Sequence, residues 1–452
     1  MKKITLSFIF LFLTSVNLYS QTWESIGSAF TGNYFEGKVA LNSDGNDVYF
    51  IQKYDDGVYF HGKVKKYANN SWADFGTDFY TPYNYSVFFD LNLKISSVNE
   101  AYISYSTLNG TTVKKNNAGN WSTLGNATFS DVNGSIQSVL KTNNQGIPYF
   151  AFTENTGNRL SVMKLNGGNN TWEYVGNPSF STCSGLSTMS FEIAPDNTPY
   201  VVYEDCVLVN GSYVYRIVAK KFNGSSWVTV GSGVVSDGSS SVASLAIGTD
   251  NVPYVVYGDS NQGYKLTVKK FDGANWVVVG SAGFTPSTAN KLVLKLDSAN
   301  NPVVGFKDNA NSGKVSVMRY NGSIWNSVGT LGFSTSTITE LSMDIKSDKI
   351  VVCYKDNSGY NIKKLSTTLS KTLFDLNNQI SVYPNPVNDV LNVAVSNNQE
   401  IAKIEILALD GRTVQEVATG AFVNLEHILS GIYLVKITSK EGKTGVQRII
   451  KK

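Results

Sequence analysis

All seven tryptophans of this 452-residue chain stand four residues before a glycine. The pairs are Trp23/Gly27, Trp72/Gly76, Trp121/Gly125, Trp172/Gly176, Trp227/Gly231, Trp276/Gly280 and Trp325/Gly329, with Trp spacings of 49, 49, 51, 55, 49 and 49. Chance does not place every Trp of a chain in one such frame, so the pattern marks a structural repeat. Within one unit, SVASLAIGTD (241–250), VPYVVYGD (252–259), YKLTVKKF (264–271) and WVVVG (276–280) read as four short strands. Each is β-branched or aromatic and bounded by Gly, Asn, Asp or Pro. Four antiparallel strands per unit of this length is a propeller blade.

A lone four-stranded sheet cannot bury both apolar faces, but blades stacked face to face around an axis can. The Trp would wedge neighbouring blades apart, and the Gly would let the chain turn toward the next blade. An aromatic follows in most units (Phe30, Phe79, Phe129, Phe180, Phe284 and Phe333, with Val234 and Val235 in the fifth) and reads as a plug beneath the connecting loop. The strands ELSMDIK, KIVVCYKD and YNIKKL near residues 340–365 have no Trp strand after them, whereas WESIG at 23–27 has nothing before it. The expected fold is therefore all-β, a seven-bladed β-propeller whose N-terminal strand completes the last blade. That closure removes the exposed edges an open solenoid would need to cap.

Residues 1–20 read as an export signal, with Lys2 and Lys3 ahead of the apolar stretch Leu6 to Leu13 and a cut after Ser20. That stretch is too short to span a bilayer, and no later segment replaces it, so no transmembrane segment is expected in the mature chain. The expected organisation is signal 1–20, propeller 21–366, linker 367–379 and a C-terminal β-sandwich at 380–452. The formal charge is +3, of which Lys2 and Lys3 leave with the signal. A near-neutral propeller argues against nucleic acid as a partner. Cys183 and Cys206 share one repeat and are candidates for a disulfide, while Cys353 lies in an apolar strand as a buried small side chain.

Two further rows recur. A basic residue near the end of each third strand (Lys66, Lys115, Lys164, Lys221, Lys270, Arg319, Lys364) reads as a snorkelling side chain on the outer sheet. Acids in the turn after the second strand (Asp55, Glu154, Asp205, Asp259, Asp308, Asp356) read first as Asx-type turn residues. A structural Ca²⁺ is the alternative for that rim, but it needs six to eight converging oxygens. No other cofactor is expected.

The tail differs. VYPNPVNDVLNVAV (382–395) and the segments around 401–417 and 425–452 form a compact alternating pattern. Tyr383-Pro384-Asn385-Pro386, Asp410-Gly411-Arg412, Leu429-Ser430-Gly431-Ile432-Tyr433 and the basic end Lys451-Lys452 stand in family order. This region resembles the type A C-terminal sorting domain of the type IX secretion system of Bacteroidetes. The resemblance implies inner-membrane passage by the N-terminal signal, then export directed by this tail. It further implies a partner in the secretion machinery and a secreted or surface-held product.

Enzymatic chemistry finds little material. His61 and His427 are the only histidines, which leaves no His-based triad or metal cluster. Carboxylate pairs such as Glu204/Asp205 and Glu340/Asp344 are the candidates for glycoside hydrolysis. Arg159, Arg216 and Arg319 stand at inequivalent positions and make no arginine cluster. The preferred reading is an extracellular recognition module for carbohydrate or protein, with a propeller glycosidase and a ligand-free adhesion scaffold as alternatives. The candidate contact residues are Tyr213 and Tyr215 in the longest inter-strand insertion, CVLVNGSYVY (206–215), and Tyr83 and Tyr85 in the loop at 80–85.

Overall fold

The computed structural model describes residues 19–32, 34–82, 89–107, 110–129, 137–154, 157–184, 186–369, 379–396, 400–408, 413–417, 420–440 and 444–452. Most of the export signal, Tyr83 and Tyr85, and Asp410, Gly411 and Arg412 lie outside those residues. One compact unit comprises Gln21–Ser366, and Thr367–Lys452 belongs to another.

The first unit is the propeller. Seven antiparallel sheets follow one another along the chain. Their first strands are Tyr34–Leu41, Phe89–Ile95, Ser138–Thr142, Met189–Ile193, Ala243–Ile247, Ala289–Leu296 and Glu340–Lys346, which open blades 1 to 7 in that order. Each first strand touches the next, and that of blade 7 touches that of blade 1, so the seven ring a common axis. Blade 7 takes its outermost strand, Tyr19–Ser25, from the N-terminus, where it pairs with Gly359–Leu369. Ile26 N donates to Ile362 O at 2.8 Å, and Phe30 N donates to Tyr360 O at 2.8 Å. Blade 1 carries an additional short strand, Phe79–Pro82, beside Tyr59–Gly62.

The Trp-x-x-x-Gly repeat is the seam between blades. The indole N–H of Trp72 donates to Ile26 O, the residue before Gly27, at 3.0 Å. Trp23, Trp172, Trp227, Trp276 and Trp325 repeat this bond to the residue preceding the glycine of the blade before, at 2.7 to 3.1 Å.

The turning role expected of the seven glycines needs correcting, because it is only part of what they do. A Cβ on Gly27 would lie 2.8 Å from the Trp72 ring, and one on Gly329 would lie 2.9 Å from Trp23. Both also have left-handed φ, 70° and 64°. Gly76, Gly125 and Gly280 are approached in the same way: a Cβ there would meet Trp121, Trp172 and Trp325 at 2.6, 2.7 and 2.8 Å. Gly176 and Gly231 depart from the pattern. Their closest neighbours are the third-strand aromatics Phe222 and Phe271 of the next blade, at 3.0 and 2.8 Å from a Cβ. The repeat therefore keeps glycine because the next blade's aromatic rings pack directly on its backbone, as well as for the turn.

In four units the following phenylalanine stacks on the next blade's indole rather than merely plugging a loop, whereas Phe30 and Phe79 meet Trp72 and Trp121 edge-on. Phe129–Trp172, Phe180–Trp227, Phe284–Trp325 and Phe333–Trp23 centroids are 4.2, 4.7, 3.9 and 4.4 Å apart. In the fifth unit Val235 fills that place, fully buried.

One seam is incomplete. Trp121 Nε1 is buried without a hydrogen-bond partner, as is Asn116 Nδ2 beside it. Asn116 stands where Tyr67, Phe222, Phe271 and Tyr320 lean on their indoles at 5.2 to 5.7 Å. An Asn116→Phe variant is expected to gain about 1 kcal/mol, because an aromatic pair replaces an orphaned amide. The lost bond from Gly119 N to Asn116 Oδ1 limits the gain. A thermal melt that falls would refute it.

The tail unit is a two-sheet sandwich. Ile380–Tyr383, Val390–Val395 and Phe422–Asn424 form one sheet. Thr413–Val417, Ile401–Leu407, Gly431–Ser439 and Thr444–Lys451 form the other. Val387, Leu391, Ile404, Ile406, Leu425, Val435, Ile437 and Ile449 fill the space between them. The Pro384-Asn385-Pro386 motif docks on the last strand. Asn385 Oδ1 accepts from Ile450 N at 2.9 Å, and its Nδ2 donates to Arg448 O at 2.8 Å. Tyr433 OH, two residues past Gly431, donates to Leu429 O at 2.9 Å.

Candidate functional site

The first strands line the axis, and strand alternation sorts their inward side chains into tiers. Register puts Ala40, Lys94, Lys141, Glu192, Ala246, Lys295 and Asp344 on one tier, opposite Tyr49, Tyr102, Tyr149, Tyr200, Tyr254, Val303 and Val351. Two residues earlier stand Lys38, Asn92, Val139, Ser190, Ser244, Val293 and Ser342. Several inward side chains satisfy the backbone of the adjacent first strand, which lacks a ladder partner on that side. Ser342 Oγ and Asp344 Oδ2 accept from Val39 N and Leu41 N at 3.2 and 2.9 Å. Ser190 Oγ and Ser244 Oγ accept from Leu245 N and Leu294 N at 3.0 and 3.1 Å.

These walls enclose an axial cavity of about 420 Å³. Lys38, Asp90, Asn92 and Ser342 line it together with Val139, Val293, Met189 and Met343. Its lining ionisable groups, Lys38, Asp90, Lys141 and Lys295, form a network with neighbours on the first strands. Lys141 Nζ lies 2.5 Å from Glu192, Lys295 Nζ lies 3.5 Å from Asp344, and Lys38 Nζ lies 3.0 Å from Asp90. Burial pushes the Glu192 and Asp344 carboxyls up, but the nearby ammonium groups, led by Lys141 at Glu192 and by Lys295 at Asp344, outweigh it and hold both below the ordinary range. Burial raises Glu36, whose Oε1 accepts from Leu91 N at 3.0 Å and sits 3.5 Å from Lys38 Nζ. Lys94 is different. It is half-buried, and no described residue forms a hydrogen bond or ion pair with it. Burial first, then the ammonium groups of Lys141 and Lys346, pull its pKa down to about 8.

The wall near Ser187 and Thr188 is braced by blade 4. Its second and third strands, Pro199–Val209 and Ser212–Phe222, form a long hairpin. Cys206 at the base of that hairpin is disulfide-bonded to Cys183. Asp205 accepts from Thr182 N at 3.0 Å and Cys183 N at 2.8 Å, and Glu204 accepts from Ser187 N at 3.3 Å and from Ser187 Oγ. The hairpin therefore grips the loop that supplies Ser187 and Thr188 to the cavity. Its tip presents Leu208, Tyr213 and Tyr215 at 61, 69 and 54 % exposure.

The other expected residues have local partners. Among the basic row, Lys66, Lys115, Lys164, Arg319 and Lys364 face Asp47, Glu100, Glu173, Asp297 and Glu24 within 4 Å. The turn acids bind their own turns: Asp55, Asp259, Asp308 and Asp356 accept from Gly57 N, Asn261 N, Ala310 N and Ser358 N at 2.8 to 3.0 Å. Glu154 accepts from Ser161 and Ser179 at 2.7 Å. Cys183, Asp205 and Cys206 cluster closely enough to suggest a metal set. With the sulfurs bonded to each other and the carboxylate spent on backbone N–H groups, the cluster does not suit one. Glu340 accepts from Tyr360 OH at 2.6 Å, so the Glu340/Asp344 pair has each member engaged elsewhere. His61 stacks on Tyr54 at 4.7 Å and meets Asp56 at 2.7 Å in blade 1, while Arg216 donates to Ser239 at 3.2 Å.

Residues 381–452 match the family described as the secretion system C-terminal sorting domain. The chain ends in a type IX sorting domain. The sorting domain makes the protein a secreted or cell-surface product exported by that machinery. Among the described residues, no helix is long and apolar enough to cross a membrane. No curated protein matches the chain. Among solved structures, a protein of unknown function from Dyadobacter fermentans is 8 % identical, covers 77 % of this chain and 98 % of its own, and has a TM-score of 0.44. A mutant of the Aleuria aurantia lectin AAL with Fucα1-6GlcNAc is 14 % identical, over 63 % of this chain and 95 % of that one, with a TM-score of 0.43. The polysaccharide lyase Uly1 is 8 % identical, over 73 % and 89 %, with a TM-score of 0.46.

Proposed function

We propose that the exported propeller is a saccharide-binding module rather than an enzyme, with the axial cavity as its binding site. The observation that carries this reading is how the carboxylates in and around the cavity are held. Asp90, Glu192 and Asp344 each face a lysine, and Glu36 is fixed by Leu91 N and Lys38. Glycoside hydrolysis needs a protonated acid and a free carboxylate or base across the scissile bond. The salt-bridged Asp90, which lines the cavity, serves instead as a fixed acceptor for hydroxyl groups, and Val139, Val293, Met189 and Met343 offer apolar faces to a sugar ring. The exposed Tyr213 and Tyr215 add a stacking surface on the hairpin that braces the wall.

The test is a glycan array followed by calorimetry on the purified secreted protein, alongside reducing-end assays on the polysaccharides that bind. Binding without product release is expected. Replacing Tyr213 and Tyr215 together by Ala is expected to weaken binding several-fold. Steady release of saccharide product would make the protein an enzyme. Absence of any saccharide binding would leave the adhesion scaffold.

A further inference from the structure

The charged tier of the axis is one acid short. Reading around the ring from blade 1 gives Ala40, Lys94, Lys141, Glu192, Ala246, Lys295 and Asp344. Glu192 is taken by Lys141 of the blade before it, and Asp344 by Lys295 of the blade before it. The same arrangement would give Lys94 a partner from an adjoining blade. Its neighbours on the tier are instead Lys141 on one side and the methyl group of Ala40 on the other. Lys346, at the end of the blade 7 first strand, adds another positive charge that acts on Lys94. Glu192 and Asp344 favour its charged form, and both already have lysines. The side chain is half-buried, so water reaches it only in part. An ammonium group kept there without a counter-charge is costly unless something else supplies one.

Resting on the saccharide-binding reading above, we infer that the ligand is an acidic saccharide whose anionic group reaches past the cavity lining, on the tier of Lys141 and Lys295, and supplies the missing counter-charge to Lys94 beside Ala40. Lys141 and Lys295, which line the cavity, add positive field to the same tier. The rest of the ligand would occupy the more neutral space between Asn92, Val139, Val293 and Ser342. A carboxylate from a uronic acid and a sulfate ester share this chemistry, so the experiment must separate them.

Calorimetry on the secreted protein would compare oligogalacturonate, a sulfated galactan oligomer and a neutral galactan oligomer of equal length. The expected result is that one of the anionic oligomers binds at least tenfold more tightly than the neutral one, with affinity falling as salt rises. Lys94→Met is expected to erase that preference while leaving neutral-sugar binding unchanged. Ala40→Glu, which supplies the carboxylate from within, is expected to erase it as well. Uronate preference and sulfate preference assign the two sources. Equal affinity for all three oligomers, or an anionic preference that survives Lys94→Met, overturns the inference and leaves the saccharide reading standing. Failure of all three to bind, with no other saccharide bound on the array, overturns both.

Discussion

Secreted protein lacking residues 21–28 is expected to lose its cooperative melt or to melt at least 10 °C lower, on the usual scaling of midpoint with lost stability. The reason is circular closure. That segment supplies the outermost strand of blade 7, the backbone bond from Ile26 to Ile362, and the indole of Trp23 against Phe333 and Val328 O. Ile26 is buried among Val39, Phe50 and Tyr360, so its loss also opens the seam between blades 7 and 1. A single substitution makes the sharper comparison. Trp23→Ala removes a stacked and hydrogen-bonded indole, and so does Trp172→Ala within the ring. In a closed ring the two cost alike, about 3–5 kcal/mol each. In an open stack the terminal indole would cost far less, because terminal repeats fray. Denaturant titration of both variants decides between them, and a markedly milder Trp23→Ala would refute closure.

The features legible in the sequence and those that were not differ for a physical reason. Blade number and the N-terminal closing strand could be read because seven indoles must meet seven similar seams, so sterics repeat the residue. The stacked Phe129, Phe180, Phe284 and Phe333 were visible as a row, but their partner was not, since it lies a full blade later in the chain. The rings that crowd Gly76, Gly125, Gly176, Gly231 and Gly280 were hidden for the same reason. The axial tier carries no common residue to mark it. Ala40, Lys94, Lys141, Glu192, Ala246, Lys295 and Asp344 share a position and nothing else. The usable signal was an isolated charge one step before the end of an apolar strand, as in SVLKT and ANKLVLKL. The basic row on the third strands was easier to see because it is uniform, and that uniformity reflects a shared solvated setting. The length of their insertion marks Tyr213 and Tyr215 in the sequence. The bracing of Ser187 by Glu204 leaves no such mark, because it joins residues from different turns.

The same tier sets the second large effect, and its sign is unusual. Lys94→Met is expected to stabilise the fold at pH 7 by about 2 kcal/mol, an amount reduced for the water that reaches the side chain. The wild-type ammonium titrates at about 8, below the usual lysine value, because burial and the Lys141 and Lys346 charges oppose it more than Glu192 and Asp344 favour it. Below pH 8 both the folded and unfolded chains hold the proton, and the full penalty applies. Between pH 8 and the unfolded value near 10.5 the folded chain releases it first, so wild-type stability gains on the variant as pH rises. Denaturant melts of the two proteins from pH 7 to 10 should therefore converge. Parallel curves would mean that Lys94 has a counter-charge in the free protein. Convergence, together with loss of the anionic preference in the same variant, separates the two roles a lysine can have here. A residue kept for folding would not weaken the fold that carries it, whereas one kept for a ligand can. The bound anion should then reverse the balance, stabilising the wild type and leaving the methionine variant unmoved.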